Sequence, residues 1–409
     1  MRTRVRFFRA AVGLAMFASV LALPARGASG LPPQPPDISA KAAALIDVTS
    51  GRLLYSLNGD TPMRIASLTK IMTAIVAIEH GRLEDTVKVS ARAASREGSS
   101  IYLRAGDEVS LETLLYGLML RSGNDAATAI AEHVGGSEEG FVFLMNRKAE
   151  EIGLAYTQFR NPHGLDQDGH YSTANDLAKL TAYALKNPVF RQIVATKVKT
   201  APNPNGEWDY RFVNKNKMLF EYEGADGVKT GYTKLASRCL VSSATRNGQQ
   251  LAAVTLNDGN DWSDHRKLLD YGFARFPLQE VVAAGQRVAD LPYAAVSSFR
   301  YPFAEGEREK LRVFLSTYPP ESTDYRLGFR GRLIFELDGR PVGAVLLRDA
   351  PVGTGEDRSA AGGPFGPTAV PAFAPADGNA PAWSGHAPTF GEALRLSVVA
   401  LLSVMAPAG

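Results

Sequence analysis

The stretch that most restricts the fold of this chain lies between positions 67 and 80. Ser67-Leu68-Thr69-Lys70 runs into Ile71, Met72, Ala74, Ile75, Val76, Ala77 and Ile78, an almost unbroken apolar series at helical spacing. A helix that is apolar on nearly every side has to be buried. Lys70 is carried inside with it, and desolvation makes an ammonium give up its proton more readily. Ser67 stands at the start of the helix, where free backbone N–H groups favour developing negative charge, and Lys70, three residues on, shares its face. A serine beside a lysine of lowered pKa is a nucleophile beside a base. In isolation the same residues read more simply as an N-cap and a snorkelling lysine, so the rest of the chain has to decide.

At 409 residues the chain has room for two to three domains. Hydrophobic residues at 45% and charged residues at 21% fit neither a disordered chain nor a multispan membrane protein. A single cysteine, Cys239, excludes an intrachain disulfide and a thiolate metal cluster. The formal charge of +3 comes from Arg2, Arg4, Arg6, Arg9 and Arg26, all in the first 27 residues, so the remainder is slightly acidic and nucleic acid is excluded as a partner.

Those 27 residues read as a secretory signal: arginines, an apolar run from Ala10 to Leu23, then Pro24 and Ala25-Arg26-Gly27. A hairpin is predicted from Ala42–Asp47 and Arg52–Leu57 around Ser50-Gly51. Helical spacing follows at Leu68–His80, Leu111–Leu120, Ala126–Val134, Phe141–Ile152 and Ala174–Leu185. Strands return at Cys239–Thr245 and Leu251–Leu256, before a helix over Trp262–Phe273. Residues 38–275 thus form an α/β domain. From 278 to 349 short apolar runs, at Glu280–Val282, Val296–Arg300, Leu311–Leu315, Leu333–Leu337 and Val342–Leu347, predict a small all-β domain with a hairpin at Asp338-Gly339. Residues 351–388, with seven prolines and seven glycines, predict a disordered linker, and 389–406 an amphipathic helix that lies on a membrane surface.

Two further motifs follow the first in order, Ser122-Gly123-Asn124 and Lys229-Thr230-Gly231. Each alone is weak, but their order and spacing make chance improbable, and with a different middle motif the triple resembles that of penicillin-binding proteins and class A β-lactamases. A hydroxyl at Ser122 can relay a proton between Lys70 and a leaving amine, and the Asn124 amide can hold a peptide carbonyl. Lys229 supplies fixed positive charge, Thr230 a hydroxyl and Gly231 room for close approach, a combination suited to a terminal carboxylate.

The flanking residues match as well. Ile65–Thr73, Leu120–Ala126, Asp226–Thr233, Asn161-Pro162-His163-Gly164-Leu165 and Tyr171–Leu177 resemble the serine-type D-alanyl-D-alanine carboxypeptidases, the low-molecular-mass penicillin-binding proteins. The resemblance implies a β-lactamase/transpeptidase-like domain of helices on an antiparallel sheet, followed by the small all-β domain. It implies Ser67 as the acylated nucleophile, Lys70 as base, Ser122 as relay, Asn124 as substrate-binding, and Lys229 and Thr230 as holders of the substrate carboxylate. An oxyanion hole from the backbone N–H groups of Ser67 and Tyr232 is implied too, with Tyr232 standing where relatives carry histidine.

No cofactor is implied. His163 and His170 share a loop with Asp166 and Asp168, but no histidine pair has the spacing of a helical zinc motif. The expected partners are peptidoglycan stem peptides ending in D-Ala-D-Ala, β-lactam antibiotics and, through the C-terminal helix, the outer face of the cytoplasmic membrane. A D,D-endopeptidase on wall cross-links or a non-hydrolytic β-lactam sensor could use the same residues. A class A β-lactamase would need a Glu-x-x-Leu-Asn context between Asn124 and Lys229, which is missing.

Overall fold

The computed structural model describes residues 34–351 except 205, 207 and 289. The expected leader at 1–27, all but the first residue of the linker and the helix at 389–406 lie outside the described residues.

A five-stranded antiparallel sheet organises the larger unit. Its strands are β1 (Ala42–Asp47), β2 (Leu53–Leu57), β3 (Ala225–Thr233), β4 (Ser237–Arg246) and β5 (Gln249–Leu256), in the order β2-β1-β5-β4-β3. β1 is buried on both faces. Because strand side chains alternate, Ala42, Ala44 and Ile46 join the large helical core, whereas Ala43 and Leu45 pack with Leu268 and Leu269 on the opposite face.

The helices fill the interval between β2 and β3. A 3-10 turn at Ala66–Thr69 leads into α1 (Lys70–His80), whose residues Lys70 to Ala77 are all buried, as the apolar pattern requires. Around it pack α2 (Asn124–Gly135), α3 (Glu138–Ile152), α4 (Ala174–Leu185) and α5 (Pro188–Ala195), with α6 (Asp261–Arg275) behind the sheet. Short antiparallel strand pairs, Thr86–Lys88 with Glu108–Ser110 and Val198–Ala201 with Tyr210–Val213, were not legible as strands in the sequence.

One helix departs from expectation. The pattern predicts helix over Leu111–Leu120, but α-helical geometry ends at Tyr116 and widens into a π-turn over Gly117–Arg121. The turn ends on Ser122 in the left-handed region (φ 65°), which stops the helix and presents the Ser122-Gly123-Asn124 motif at a bend. Periodicity cannot register a one-residue widening of a helical turn.

The smaller unit has strands β6 (Leu278–Val282), β7 (Tyr293–Ala295), β8 (Phe299–Pro302), β9 (Arg312–Thr317), β10 (Phe329–Leu337) and β11 (Arg340–Asp349). Four form an antiparallel sheet in the order β7-β11-β10-β9, and β6 pairs with β8. The strand expected at Val296–Arg300 is divided, because the chain leaves one sheet after Ala295 and enters the other at Phe299. The hairpin at Asp338-Gly339 forms as the sequence predicts, both residues having positive φ (49° and 77°). Phe299 stacks on Phe335 at 4.2 Å in a core shared with Val313, Leu333 and Leu347.

Arg52, in the turn after β1, joins the units. Its guanidinium meets Glu307 through two bonds of 2.7 Å, donates to the Pro302 carbonyl at 2.7 Å and lies over the rings of Phe276 and Tyr301.

Candidate active site

Ser67 sits in the 3-10 turn one residue after Ala66, whose φ of 46° is unusual for a residue with a side chain. The turn is held from behind. The Arg160 backbone N–H donates to His170 Nδ1 at 3.0 Å, so the proton of the neutral ring is on Nε2, which donates to Thr69 Oγ1 at 2.8 Å. Thr69 in turn donates to the Ala66 carbonyl at 2.9 Å. Burial pushes His170 down to about 4, which keeps the ring neutral in this role.

Lys70 is fully buried, and Nζ lies 3.0 Å from Ser67 Oγ, 2.7 Å from Asn124 Oδ1 and 2.6 Å from the His163 carbonyl oxygen. Desolvation first, then the charges of Lys229 and Lys215, hold its pKa well below the ordinary lysine value, against a smaller opposing effect of Asp125. A neutral amine has two N–H groups and one lone pair. Asn124 and His163 take the two N–H groups, and the lone pair is left for the Ser67 hydroxyl.

The supporting backbone is specialised. Gly164, at φ 82°, passes so close that a Cβ there would lie 2.0 Å from the Ala66 carbonyl oxygen. The Asn124 amide donates to the Glu97 carbonyl at 2.7 Å, leaving its second N–H for a ligand. The adjacent Asp125, fully buried, accepts from the N–H groups of Ile101 and Leu103 and from Ser100 Oγ, fixing the 97–103 loop against the site. Ser122 is nearly buried, and among the described residues no hydrogen bond joins its hydroxyl to Lys70 or Ser67.

The third motif lies on the edge strand β3, which packs against the 66–69 turn. A Cβ on Gly231 would lie 3.2 Å from the Ser67 nitrogen, so only glycine leaves this approach unhindered. Thr230 is half-buried, and Tyr232 points outward, 66% exposed. Lys229 is 1% exposed and donates to the Thr230 carbonyl at 2.8 Å. Burial, helped by Lys215, pushes Lys229 down to about 7, so in the free enzyme its charge depends on pH.

Lys215 was missed in the sequence. It donates to Ser99 Oγ at 3.3 Å and lowers both catalytic-site lysines, yet it lies in no motif and no periodic run. The loop histidines and acids separate: Asp166 and Asp168 face Arg64 at 3.6 and 3.4 Å, and Thr233 Oγ1 donates to Asp166 at 3.2 Å.

A serine hydroxyl bonded to a buried amine, with a lysine-bearing edge strand against the serine backbone, defines a class: serine enzymes that transfer acyl groups and are trapped by β-lactams. The comparisons narrow it. A family model described as Peptidase S11, D-alanyl-D-alanine carboxypeptidase, matches residues 30–260. The D-alanyl-D-alanine carboxypeptidase DacF of Bacillus subtilis (strain 168) is 33% identical over 346 residues, covering 79% of this chain and 87% of the relative. DacC of Escherichia coli (strain K12), of the same description, is 36% identical over 339 residues, 75% of this chain and 82% of its own. Penicillin binding protein 5 from Haemophilus influenzae matches in structure with a TM-score of 0.64 at 28% identity, over 77% of this chain and 98% of that one. The chain belongs to the S11 family of D-alanyl-D-alanine carboxypeptidases and is a serine hydrolase of that type. Its substrate class is the D-Ala-D-Ala end of peptidoglycan stems, and β-lactams are its ligands.

Proposed function

We propose that Ser67 attacks the carbonyl of the penultimate D-alanine while Lys70 takes its proton, and that water later hydrolyses the ester. Ser122 passes the proton to the departing D-alanine. Asn124 holds a carbonyl of the stem, and Lys229 and Thr230 hold the terminal carboxylate, with Gly231 allowing close approach. The backbone N–H groups of Ser67 and Tyr232 receive the oxyanion. The observation that carries this reading is the 3.0 Å approach of a fully buried Lys70 Nζ to Ser67 Oγ, with both amine N–H groups already engaged.

We further infer that the catalytic domain spans 38–275 and the β domain 278–349, a division supported by their separate hydrophobic cores. Export by residues 1–27 and anchoring by 389–406 would place the enzyme on the outer face of the cytoplasmic membrane. The support is in the sequence alone, since both segments lie outside the described residues. The test of the nucleophile is covalent: labelled penicillin should attach at Ser67, and Ser67→Ala should take no label. Label found in that variant, or mapped to another peptide, would overturn the assignment.

A further inference from the structure

The two groups that engage the Lys70 N–H bonds come from distant segments: Asn124 opens α2, and the His163 carbonyl belongs to the 161–165 loop. The direction of the lone pair toward Ser67 depends on both keeping their relative placement. One chain of side chains connects them. Arg96 donates from Nε to Thr128 Oγ1 on α2 at 3.0 Å and from Nη2 to Glu138 Oε2, in the first turn of α3, at 2.6 Å. The next residue, Glu97, supplies the carbonyl that accepts from the Asn124 amide. The other Glu138 oxygen lies 3.7 Å from His163 Nε2.

His163 is 4% exposed, and Nε2 has no hydrogen-bond partner among the described residues. Nδ1 accepts from the Leu165 N–H at 3.3 Å, which places the proton of the neutral ring on Nε2, facing the carboxylate. At that distance this is a buried N–H dipole held by a charge and not a hydrogen bond. The loop backbone has other anchors, since Thr73 Oγ1 donates to the Pro162 carbonyl at 2.6 Å and the Gly164 N–H to Asn161 Oδ1 at 2.7 Å. The loop backbone thus has anchors apart from the imidazole and its carboxylate, whose effect falls on how the His163 peptide is aimed.

We propose that Arg96, Glu138 and the His163 imidazole are positioning residues for the Lys70 base, tying the Asn124 amide and the His163 carbonyl together so that the amine lone pair stays directed at Ser67. This rests on the reading of Ser67 and Lys70 as nucleophile and base. None of the three touches the reacting atoms. Their loss slows acylation without weakening the encounter with substrate.

The test is rapid-mixing acylation of the full chain by labelled penicillin, which separates the dissociation constant of the first complex from the acylation rate constant. Glu138→Gln keeps shape and removes charge. It should lower the acylation rate constant about tenfold and leave the dissociation constant within about twofold. His163→Asn, whose amide oxygen can still accept from Leu165 but which has no ring N–H for Glu138, should lose the same amount. The double variant should be no slower than the slower single, since both break one link. If His163→Asn does not fold, Arg96→Gln takes its place in the cycle, because it removes the cation that holds Glu138. Wild-type acylation in Glu138→Gln, a loss confined to the dissociation constant, or losses that multiply in the double variant would overturn the proposal. Lys70→Arg, assayed alongside, keeps the two readings apart. If it acylates normally, the base assignment fails; if it alone is slow, only the positioning role does.

Discussion

Replacing Lys229 by arginine should move the alkaline side of the enzyme's pH profile. Lys229 is 1% exposed, and burial with Lys215 nearby brings it to about 7. With that value about one free enzyme molecule in eleven carries the charge at pH 8 and about one in a hundred at pH 9. The sign follows directly. Raising the pH takes the proton from Lys229 and removes the cation that meets a substrate carboxylate, so kcat/KM falls about tenfold per unit above the pKa. The acid side belongs to Lys70, where activity rises as the amine loses its proton. A guanidinium stays charged throughout, so in Lys229→Arg the alkaline fall should disappear from the range below about pH 10. The bulkier side chain in so enclosed a place should lower the plateau, about tenfold. The assay is the second-order rate constant for acylation by a carboxylate-bearing penicillin between about pH 5 and pH 10. An alkaline limb that stays in place in the variant would refute the reasoning and move the titration to another group, Lys215 first, since burial lowers it as well.

Lys70→Arg keeps a cation but cannot release a proton, so acylation by labelled penicillin should fall by at least about a thousandfold. Arg52→Ala removes both bonds to Glu307 and the one to the Pro302 carbonyl, leaving a half-buried carboxylate held by the Ala304 N–H alone, which should cost roughly 1–3 kcal/mol in calorimetric unfolding while hydrolysis at 25 °C stays intact. A chain ending at Ala350 should hydrolyse a small D-Ala-D-Ala peptide as the full chain does and appear in the soluble fraction, whereas the full chain should resist high salt and yield to detergent. Truncated protein that stayed with the membranes would sink the anchor.

The sequence was most legible where chemistry is local. Ser67 and Lys70 lie three residues apart on one buried helix turn, so identity and spacing alone predict their bond. Gly231 was readable as room for approach, and the structure places Ser67 on the other side of that gap. What stayed hidden depends on packing between segments. Lys215 acts through the space it shares with Lys70 and Lys229, and no pattern along the chain encodes that proximity. The lowered pKa of Lys229 was hidden for the same reason, because its desolvation comes from neighbours brought in by folding. The π-turn before Ser122 was hidden differently, since an apolar pattern fits α and π geometry alike over five residues.

The pairing of β1 with β5 sets Ala42 beside Leu256, so an early interior strand of the sheet waits for the last strand of its unit to be made. Closing so long a loop makes this a fold of non-local contacts, and such folds form slowly and late. The turn that carries Ser67 and the strand that carries Lys229 meet through the same closure. A nascent chain stalled before residue 225 would have its serine and lysine but no edge strand beside them. Reactivity toward β-lactams thus serves as a clock for the completion of folding: a labelled penicillin added during refolding should report the closing of the sheet, not the earlier formation of the helices.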